Sequence, residues 1–162
     1  MTAIDNIKNI LQAVSDPEIP VLSIMDMGIV REVESRDDGS YLIYIIPTYS
    51  GCPAMDTIAD DIVAELSKAD IKAEVKQILS PAWTTDMITE KGRQALEDYG
   101  IAAPLEADMD KAALKGESNK VQCTNCGSKN TKMISKFGST PCKALFRCND
   151  CSEPFDYFKC FK

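Results

Sequence analysis

The feature that most limits how this chain can fold is a set of four cysteines near its C-terminus. Two Cys-x-x-Cys pairs, Cys123/Cys126 and Cys148/Cys151, are separated by 21 intervening residues. Each pair places two thiols on one tight turn, and Gly127 allows the left-handed backbone that such a turn usually needs. Two such turns facing each other form a tetrahedral four-sulfur site. The last 40 residues are near the length below which a chain rarely folds without a metal or disulfide. We therefore expect metal binding to fold this region.

Structural zinc is the metal that this spacing favours, in a small four-Cys zinc ribbon. Three short stretches, at residues 132–137, 144–147 and 154–158, are typical of the strands of such a ribbon. Tetrahedral sulfur also suits iron, in a rubredoxin-like centre or a cluster, so the spacing leaves the identity of the metal open. A thioredoxin-like redox pair fits less well, because neither Cys-x-x-Cys follows a strand into a helix.

The chain contains seven Cys and no His, which excludes several kinds of active site. Without histidine it cannot supply a Ser–His–Asp or Cys–His catalytic unit, or the His ligands of a di-iron carboxylate site. Of the six cysteines in residues 101–162, two, Cys142 and Cys160, lie outside the four-sulfur set. They fit either packed thiols, a second pair of metal ligands or a redox couple.

Charge divides the chain into two parts. Residues 1–100 contain 8 Lys+Arg and 18 Asp+Glu, a net charge of −10, whereas residues 101–162 have a net charge of +3. We predict an N-terminal domain over residues 1–101, a linker over 102–122 and a zinc-ribbon domain over 123–162. The linker has no aromatic residue, and a short helix around residues 108–115 fits its composition.

The N-terminal part is predicted to be α+β, a two-layer arrangement of a three-stranded sheet and helices. Thr2 is a candidate N-cap of a first helix that ends near Ser15, because Pro17 disfavours helical backbone at the preceding residue. The strands are expected at residues 28–34, 41–46 and 71–79, with an Asp38-Gly39 hairpin turn between the first two. Two further helices are expected, one entered through Cys52-Pro53 and one over residues 89–99.

Cys52 is a candidate functional thiol. It follows a predicted strand and opens a predicted helix, with Pro53 suited to the first helical position. We therefore expect Cys52 at the N-cap, where the helix dipole lowers the pKa of a thiol and favours metal-binding thiolate. A buried structural cysteine is the alternative.

The loop Asp16-Pro17-Glu18-Ile19-Pro20 holds two carboxylates between prolines. It is either a helix stop followed by a turn, or a loop that lies beside Cys52 and supplies or orients oxygen ligands.

The N-terminus has no basic stretch and no apolar signal core, and the longest apolar run, residues 41–46, is too short to span a bilayer. Free thiols without a secretion signal suit a reducing compartment. We predict a cytoplasmic protein that does not enter a membrane.

Several of these motifs together resemble a known family. The segments 16–20, 26–30 and 48–53 resemble the carrier domain of cytosolic iron–sulfur cluster assembly, over about the first 100 residues. Adding Ser80-Pro81-Ala82-Trp83, the segment 137–145 and the segment 154–160 extends the resemblance over the whole chain, to the PaaD family. Members of this family are accessory subunits of bacterial phenylacetyl-CoA epoxidase systems.

The resemblance implies an accessory role rather than catalysis. Such proteins assist maturation of the iron–sulfur or di-iron centres of the epoxidase, a multicomponent oxygenase of phenylacetate degradation. It implies that Cys52 handles a transient iron–sulfur cluster with Asp16 and Glu18 beside it. It also implies that the partners are oxygenase or reductase subunits of the epoxidase.

Two other functions fit parts of the sequence. One is a zinc-stabilised docking subunit that does not handle iron. The other is a nucleic-acid-binding zinc ribbon, since residues 123–162 carry 7 Lys+Arg against 3 Asp+Glu with interleaved aromatic residues. The strongly acidic N-terminal part would repel phosphate and argues against the second function.

Overall fold

The computed structural model describes residues 1–105, 115 and 121–159, which form two compact units, Met1–Trp83 and Thr84–Lys162. The first unit contains helix α1 (Ala3–Leu11), strand β1 (Val30–Ser35), strand β2 (Tyr41–Ile45), helix α2 (Ala54–Lys68) and strand β3 (Ala73–Gln77). The second contains helix α3 (Glu90–Asp98) and strands β4 (Ile101–Ala102), β5 (Thr131–Ser135), β6 (Lys143–Cys148) and β7 (Pro154–Phe158).

The first unit is the predicted α+β arrangement of a three-stranded sheet with helices. The strand order is β1-β2-β3, with β1 antiparallel and β3 parallel to the central strand. The apolar positions of both helices, at helical spacing, are buried together with the central strand; they are Ile7, Leu11, Ile58, Ile62, Leu66, Ile43 and Ile45. Burying a large aliphatic side chain contributes about 1.5–3 kcal/mol, so these residues stabilise the core that holds the loops at either end of the helices.

The predicted start of α1 is confirmed. Thr2 is the N-cap, its hydroxyl accepts from the Asp5 backbone N–H at 3.1 Å, and the Asp5 carboxylate accepts from the Thr2 N–H at 2.9 Å. This capping box satisfies two donors that the helix itself leaves unpaired. The helix ends at Leu11, earlier than the predicted end near Ser15, because the next turn tightens: the Val14 N–H donates to Leu11 O.

The end of α2 has a left-handed residue that the sequence does not predict. Asp70 has φ +58°, and the hydrogen bonds Ile71 N–H to Leu66 O and Asp70 N–H to Ser67 O form a Schellman motif. A residue other than Gly or Asn therefore occupies the left-handed position at which this helix reverses into β3.

The predicted hairpin turn between β1 and β2 is confirmed. Gly39 has φ +79°, as the predicted Asp38-Gly39 turn requires, and the Arg36 N–H donates to Ser40 O at 2.9 Å across it. At the end of the unit, the indole N–H of the buried Trp83 donates to Met27 O at 2.8 Å. This bond ties residue 83 to the loop that precedes β1.

The second unit is built on a four-stranded sheet with the order β4-β7-β6-β5. Strands β5, β6 and β7 are antiparallel neighbours and lie where the ribbon strands were predicted. Their inner face packs Phe146 against Phe155 and Tyr157, with ring centroids 6.0 Å and 5.3 Å apart. Cys123 and Cys148 belong to the same cluster of buried residues as these aromatic rings, so the small aromatic core packs beside the two turns that carry the four cysteines.

The compact units differ from the predicted division near residue 101. The two-residue strand β4 pairs in parallel with β7, Ile101 opposite Asp156 and Ala102 opposite Tyr157, so α3 and β4 belong to the second unit. Gly100, with φ +87°, ends α3 as predicted and turns the chain into β4. The helix predicted around residues 108–115 lies outside the described residues, apart from residue 115.

Candidate metal centre and the Cys52 turn

The four cysteines of the ribbon converge on one point. The Sγ atoms of Cys123, Cys126, Cys148 and Cys151 all lie within 4.8 Å of one another. The Cys123–Cys151 and Cys126–Cys148 Sγ pairs are 3.7 Å and 3.6 Å apart. Zn–S bonds of about 2.3 Å in a tetrahedron place sulfurs about 3.8 Å apart. The donor set and its spacing therefore fit a structural zinc ion, held by these four thiolates.

Two matching turns present the thiols. In the first, the backbone N–H of Asn125 points at Cys123 Sγ at 3.4 Å; in the second, the N–H of Cys151 points at Cys148 Sγ at 3.5 Å. N–H donors stabilise the negative charge that a thiolate carries as a ligand. The residue after each pair is left-handed, Gly127 with φ +75° and Ser152 with φ +67°. The sequence predicts this conformation at Gly127, whereas a serine at position 152 does not indicate it.

A polar network that the sequence analysis missed joins the two turns. The Asp150 carboxylate accepts from the Ser128 hydroxyl at 2.5 Å and from the Asn130 side chain at 2.7 Å. Asn149 adds a hydrogen bond from its side chain to the Asn130 side-chain oxygen at 3.0 Å. The bonds to Asp150, first from Ser128 and then from Asn130, lower the pKa of that carboxyl group. The network holds the turns in register from outside the sulfur cluster.

The thiols differ in how readily they lose a proton. Hydrogen bonds from the Glu153 backbone N–H and then from the Asn125 side chain lower the pKa of Cys151 to about 6. At Cys126 the Ser128 N–H lowers the pKa, but the bond to Cys151, burial and the other two thiols outweigh it and raise the pKa to about 12. The lowered pKa favours a thiolate at Cys151, whereas a metal that binds Cys126 must displace its proton.

Cys142 is not part of the sulfur cluster. It is buried, and its Sγ lies 3.0 Å from the Thr140 hydroxyl oxygen, as expected for a packed thiol. Among the described residues, only the four ribbon cysteines form a metal-ligand group. Cys160 lies outside the described residues.

Cys52 occupies the turn between β2 and α2, one position earlier than predicted. The N-cap of α2 is Pro53, which has no side-chain cap, so Cys52 precedes the cap. The turn closes through hydrogen bonds from Cys52 N–H to Tyr49 O and from Met55 N–H to Cys52 O. Gly51 has φ +78°, and nothing lies within 4 Å of the position a Cβ would take there. The turn therefore leaves open space beside a half-buried thiol.

The predicted thiolate character of Cys52 is wrong. Burial raises the pKa of the Cys52 thiol, and it outweighs the hydrogen bond from the Ala54 backbone N–H that lowers it. Glu18 and Asp16 also raise this pKa through their negative charges, so both carboxylates lie within electrostatic range of the sulfur. The thiol is protonated at neutral pH, and a metal that binds it must displace the proton.

The two carboxylates of the proline-flanked loop have different surroundings. Asp16 is buried and accepts from the backbone N–H groups of Glu18 at 2.8 Å and Ile19 at 3.0 Å, which shapes the turn. Glu18 is half-buried. The loop is thus a turn built by Asp16 that lies within electrostatic range of the Cys52 thiol, and its supply of oxygen ligands stays a prediction.

Comparison with known proteins identifies both parts of the chain. Residues 4–78 match the family model described as "Iron-sulfur cluster assembly protein", and residues 107–159 match the "PaaD zinc beta ribbon domain". A putative 1,2-phenylacetyl-CoA epoxidase subunit from Escherichia coli (strain K12) is 46% identical over 93% of this chain and 89% of its own length. The chain belongs to the PaaD family of phenylacetyl-CoA epoxidase subunits.

More distant relatives match just over half of this PaaD family member. "Fe-S protein maturation auxiliary factor YitW" of Bacillus subtilis (strain 168) is 33% identical over 57% of this chain and 91% of its own length. A solved structure, a domain of unknown function DUF59 from Bacillus anthracis, aligns with a TM-score of 0.53 and 26% identity. That alignment covers 57% of this chain and 89% of that chain.

These matches confirm the predicted family and the predicted combination of an iron–sulfur-assembly-like fold with a zinc ribbon. In the described part of the chain, no helix combines the length and the apolar character needed to cross a bilayer.

Proposed function

We propose that this chain is a non-catalytic accessory protein that assists maturation of the iron–sulfur or di-iron centres of phenylacetyl-CoA epoxidase. The observation that carries the proposal is that a single chain joins two matches, an iron–sulfur-assembly domain and the PaaD zinc ribbon. A relative that matches 57% of the chain bears the name of an iron–sulfur protein maturation factor. The second part therefore directs a general maturation activity to one oxygenase system.

Cys52, Asp16 and Glu18 are the proposed iron-handling residues. Iron–sulfur clusters are held by several thiolates, and this turn supplies one. A half-buried thiol with a raised pKa binds iron weakly by itself, because each binding event must displace its proton. We infer that the cluster is cargo, held only while a client supplies the remaining ligands, with Cys52 as the temporary ligand and Glu18 as the half-buried carboxylate near it.

The zinc ribbon has a structural part in this proposal. Four thiolates close the coordination sphere of a structural zinc, so the ion supplies folding free energy and no open position for chemistry. The ribbon holds a surface for the client, which we propose is an oxygenase or reductase subunit of the epoxidase.

A docking role without iron handling is the second candidate function. The raised pKa of Cys52 is the observation that favours it, since a protonated, half-buried thiol also fits a packed side chain.

The test compares the parent protein with Cys52→Ser during maturation of the epoxidase reductase and oxygenase subunits. Iron and sulfide content and epoxidase activity of the isolated subunits are measured. Ser50→Ala is the matched control, because it alters an exposed side chain of the same turn and leaves the sulfur in place. We expect lower metal content with Cys52→Ser, unchanged content with Ser50→Ala, and equal binding of the client by all three proteins. Full metal content with Cys52→Ser would contradict iron handling and support the docking role.

A further inference from the structure

The outer face of the β5–β6 hairpin has an unusual charge arrangement. The strand register places Lys132 directly opposite Arg147, and both side chains are exposed. Like charges at directly opposite positions destabilise a pair of antiparallel strands. The inner face of the same strands carries the ribbon core, so neither residue can exchange faces without a shift of register.

No carboxylate within the described residues neutralises this pair. The ion pairs found there, Arg36–Glu74 and Lys68–Glu65, both lie in the first unit. Of the nearby acids, Asp150 is bound to Ser128 and Asn130, and Asp156 accepts from the Ser139 hydroxyl at 3.2 Å. The positive charge on this face therefore remains available to another molecule.

Two exposed apolar side chains accompany the charges. Ile134, at the irregular position between Met133 and Ser135 where the β5–β6 register shifts, is 51% exposed, and Phe137, just after β5, is 59% exposed. The Lys159 ammonium lies 4.2 Å from the centroid of the Phe137 ring. Apolar side chains exposed among cations favour an anionic partner that also buries a hydrophobic group.

Protection of a sheet edge explains only part of this pattern. A lysine and a bulge on an edge strand both discourage unwanted strand pairing, which accounts for Lys132 and the position of Ile134. Arg147 lies on β6, an inner strand of the sheet, and Phe137 lies beyond the end of β5. Edge protection requires neither of them.

We propose that Lys132, Ile134, Phe137 and Arg147, the hairpin patch, dock an acidic protein segment that carries an apolar side chain. The choice of partner rests on the proposed function, so the segment belongs to an oxygenase or reductase subunit of the epoxidase. Nucleic acid is disfavoured, because an aliphatic residue such as Ile134 offers bases no stacking surface and the whole chain has a net charge of −7.

The first experiment measures binding of the full chain to the purified oxygenase and reductase subunits. The test variant is Lys132→Glu/Arg147→Glu, and the matched control is Lys8→Glu/Lys72→Glu, which makes the same charge change at exposed positions of the first unit. We expect about tenfold weaker binding of the test variant at low salt, a difference that shrinks as salt screens the charges. Zinc content confirms that the ribbon of each variant is folded, and the fluorescence of the buried Trp83 confirms that the first unit is folded. Lys132→Gln/Arg147→Gln replaces the test variant if it loses zinc.

The proposal that the hairpin patch docks an acidic segment would be overturned by any of three results. These are unchanged binding by the test variant, an equal loss of binding by the control, and no binding by the parent. Cys52→Ser is measured beside them and should bind as the parent does. The proposed function fails if Cys52→Ser matures clients fully, whatever the patch variants do, so the two failures are distinguishable.

The second experiment places a photoreactive amino acid at position 134 and identifies the crosslinked segment by mass spectrometry. A net acidic segment of an epoxidase subunit is the expected product. A crosslink to a basic segment, to nucleic acid or to a second copy of this chain would overturn the proposed partner.

Discussion

The two turns of the metal centre differ at one equivalent position, which allows a reciprocal test of how the ribbon folds around its metal. Gly127 and Ser152 both follow a Cys-x-x-Cys pair, and both have a left-handed backbone, at φ +75° and φ +67°. Only glycine adopts this conformation without a steric cost from Cβ. We expect Gly127→Ala to weaken zinc binding and Ser152→Gly to strengthen it.

The magnitudes follow from the backbone and the surroundings of each residue. A Cβ in the left-handed region costs about 1–2 kcal/mol, and one added at Gly127 would also lie 3.2 Å from the end of the flexible Gln122 side chain. A change between glycine and a residue with a Cβ also alters the entropy of the unfolded chain by about 0.5–1 kcal/mol. This offsets part of the cost at Gly127 and part of the gain at Ser152, so the net change is about 0.5–1 kcal/mol in each case. If the metal folds the ribbon, these energies appear in zinc affinity. The expected changes are about 2–5-fold weaker binding for Gly127→Ala and about 2–5-fold tighter binding for Ser152→Gly.

The assay is competition for zinc with a chromophoric chelator at fixed pH. Gly39→Ala is the control, because Gly39 is also left-handed, at φ +79°, has open space around it and lies in the first unit. It should lower the stability of that unit and leave zinc affinity unchanged. Parent-like affinity of Gly127→Ala, or weaker binding by Ser152→Gly, would refute the coupling of backbone strain to metal binding.

Three further outcomes follow from the structure. Asp70→Gly should stabilise the first unit by about 0.5–1 kcal/mol in chemical denaturation, because it relieves the left-handed residue after α2; a lower denaturation midpoint would contradict this. Glu18→Gln should lower the pKa of Cys52 and speed its alkylation by iodoacetamide about twofold at pH 8, since the raised pKa keeps the thiol mostly protonated until the pH exceeds that raised value. Mass mapping of the modified peptide measures it, and an unchanged rate would place Glu18 outside electrostatic range. Removing zinc with a chelator should abolish amide protection in residues 121–159 while the fluorescence of Trp83, the sole tryptophan, stays that of a buried indole; joint loss of both signals would show that the units unfold together.

The features that short sequence patterns predicted correctly depend on a few neighbouring residues. The Thr2 cap, the turn at Gly39 and the end of α3 at Gly100 each follow from local hydrogen bonding or from a glycine in the left-handed region. The four-sulfur cluster is also local in origin, because each turn brings its own two thiols together. Only the meeting of the two turns required the sheet behind them.

The features that the sequence analysis missed arise from contacts between distant segments. β4 joins the ribbon sheet by pairing with β7, more than 50 residues later, and two residues are too few to show a strand pattern. The pKa of Cys52 depends on burial and on Glu18, 34 positions earlier, so helix-dipole reasoning about its own turn gave the wrong sign. At Ser152, tertiary and metal-site geometry overrides the ordinary preference for glycine.

The charge division of the chain acquires a physical role once the two proposals are combined. The acidic part, with a net charge of −10 over residues 1–100, contains the thiol of Cys52, whose pKa is raised by burial, Glu18 and Asp16, and its charge repels acidic protein segments. The ribbon, with 7 Lys+Arg against 3 Asp+Glu over residues 123–162, attracts the same segments. When the ribbon binds a client, Cys52 on the same chain is present at a high effective concentration relative to that client. A single thiol that binds iron weakly can therefore still act on a bound client. A weak ligand on a tethered partner also releases its cargo readily, which a permanent cluster site could not do.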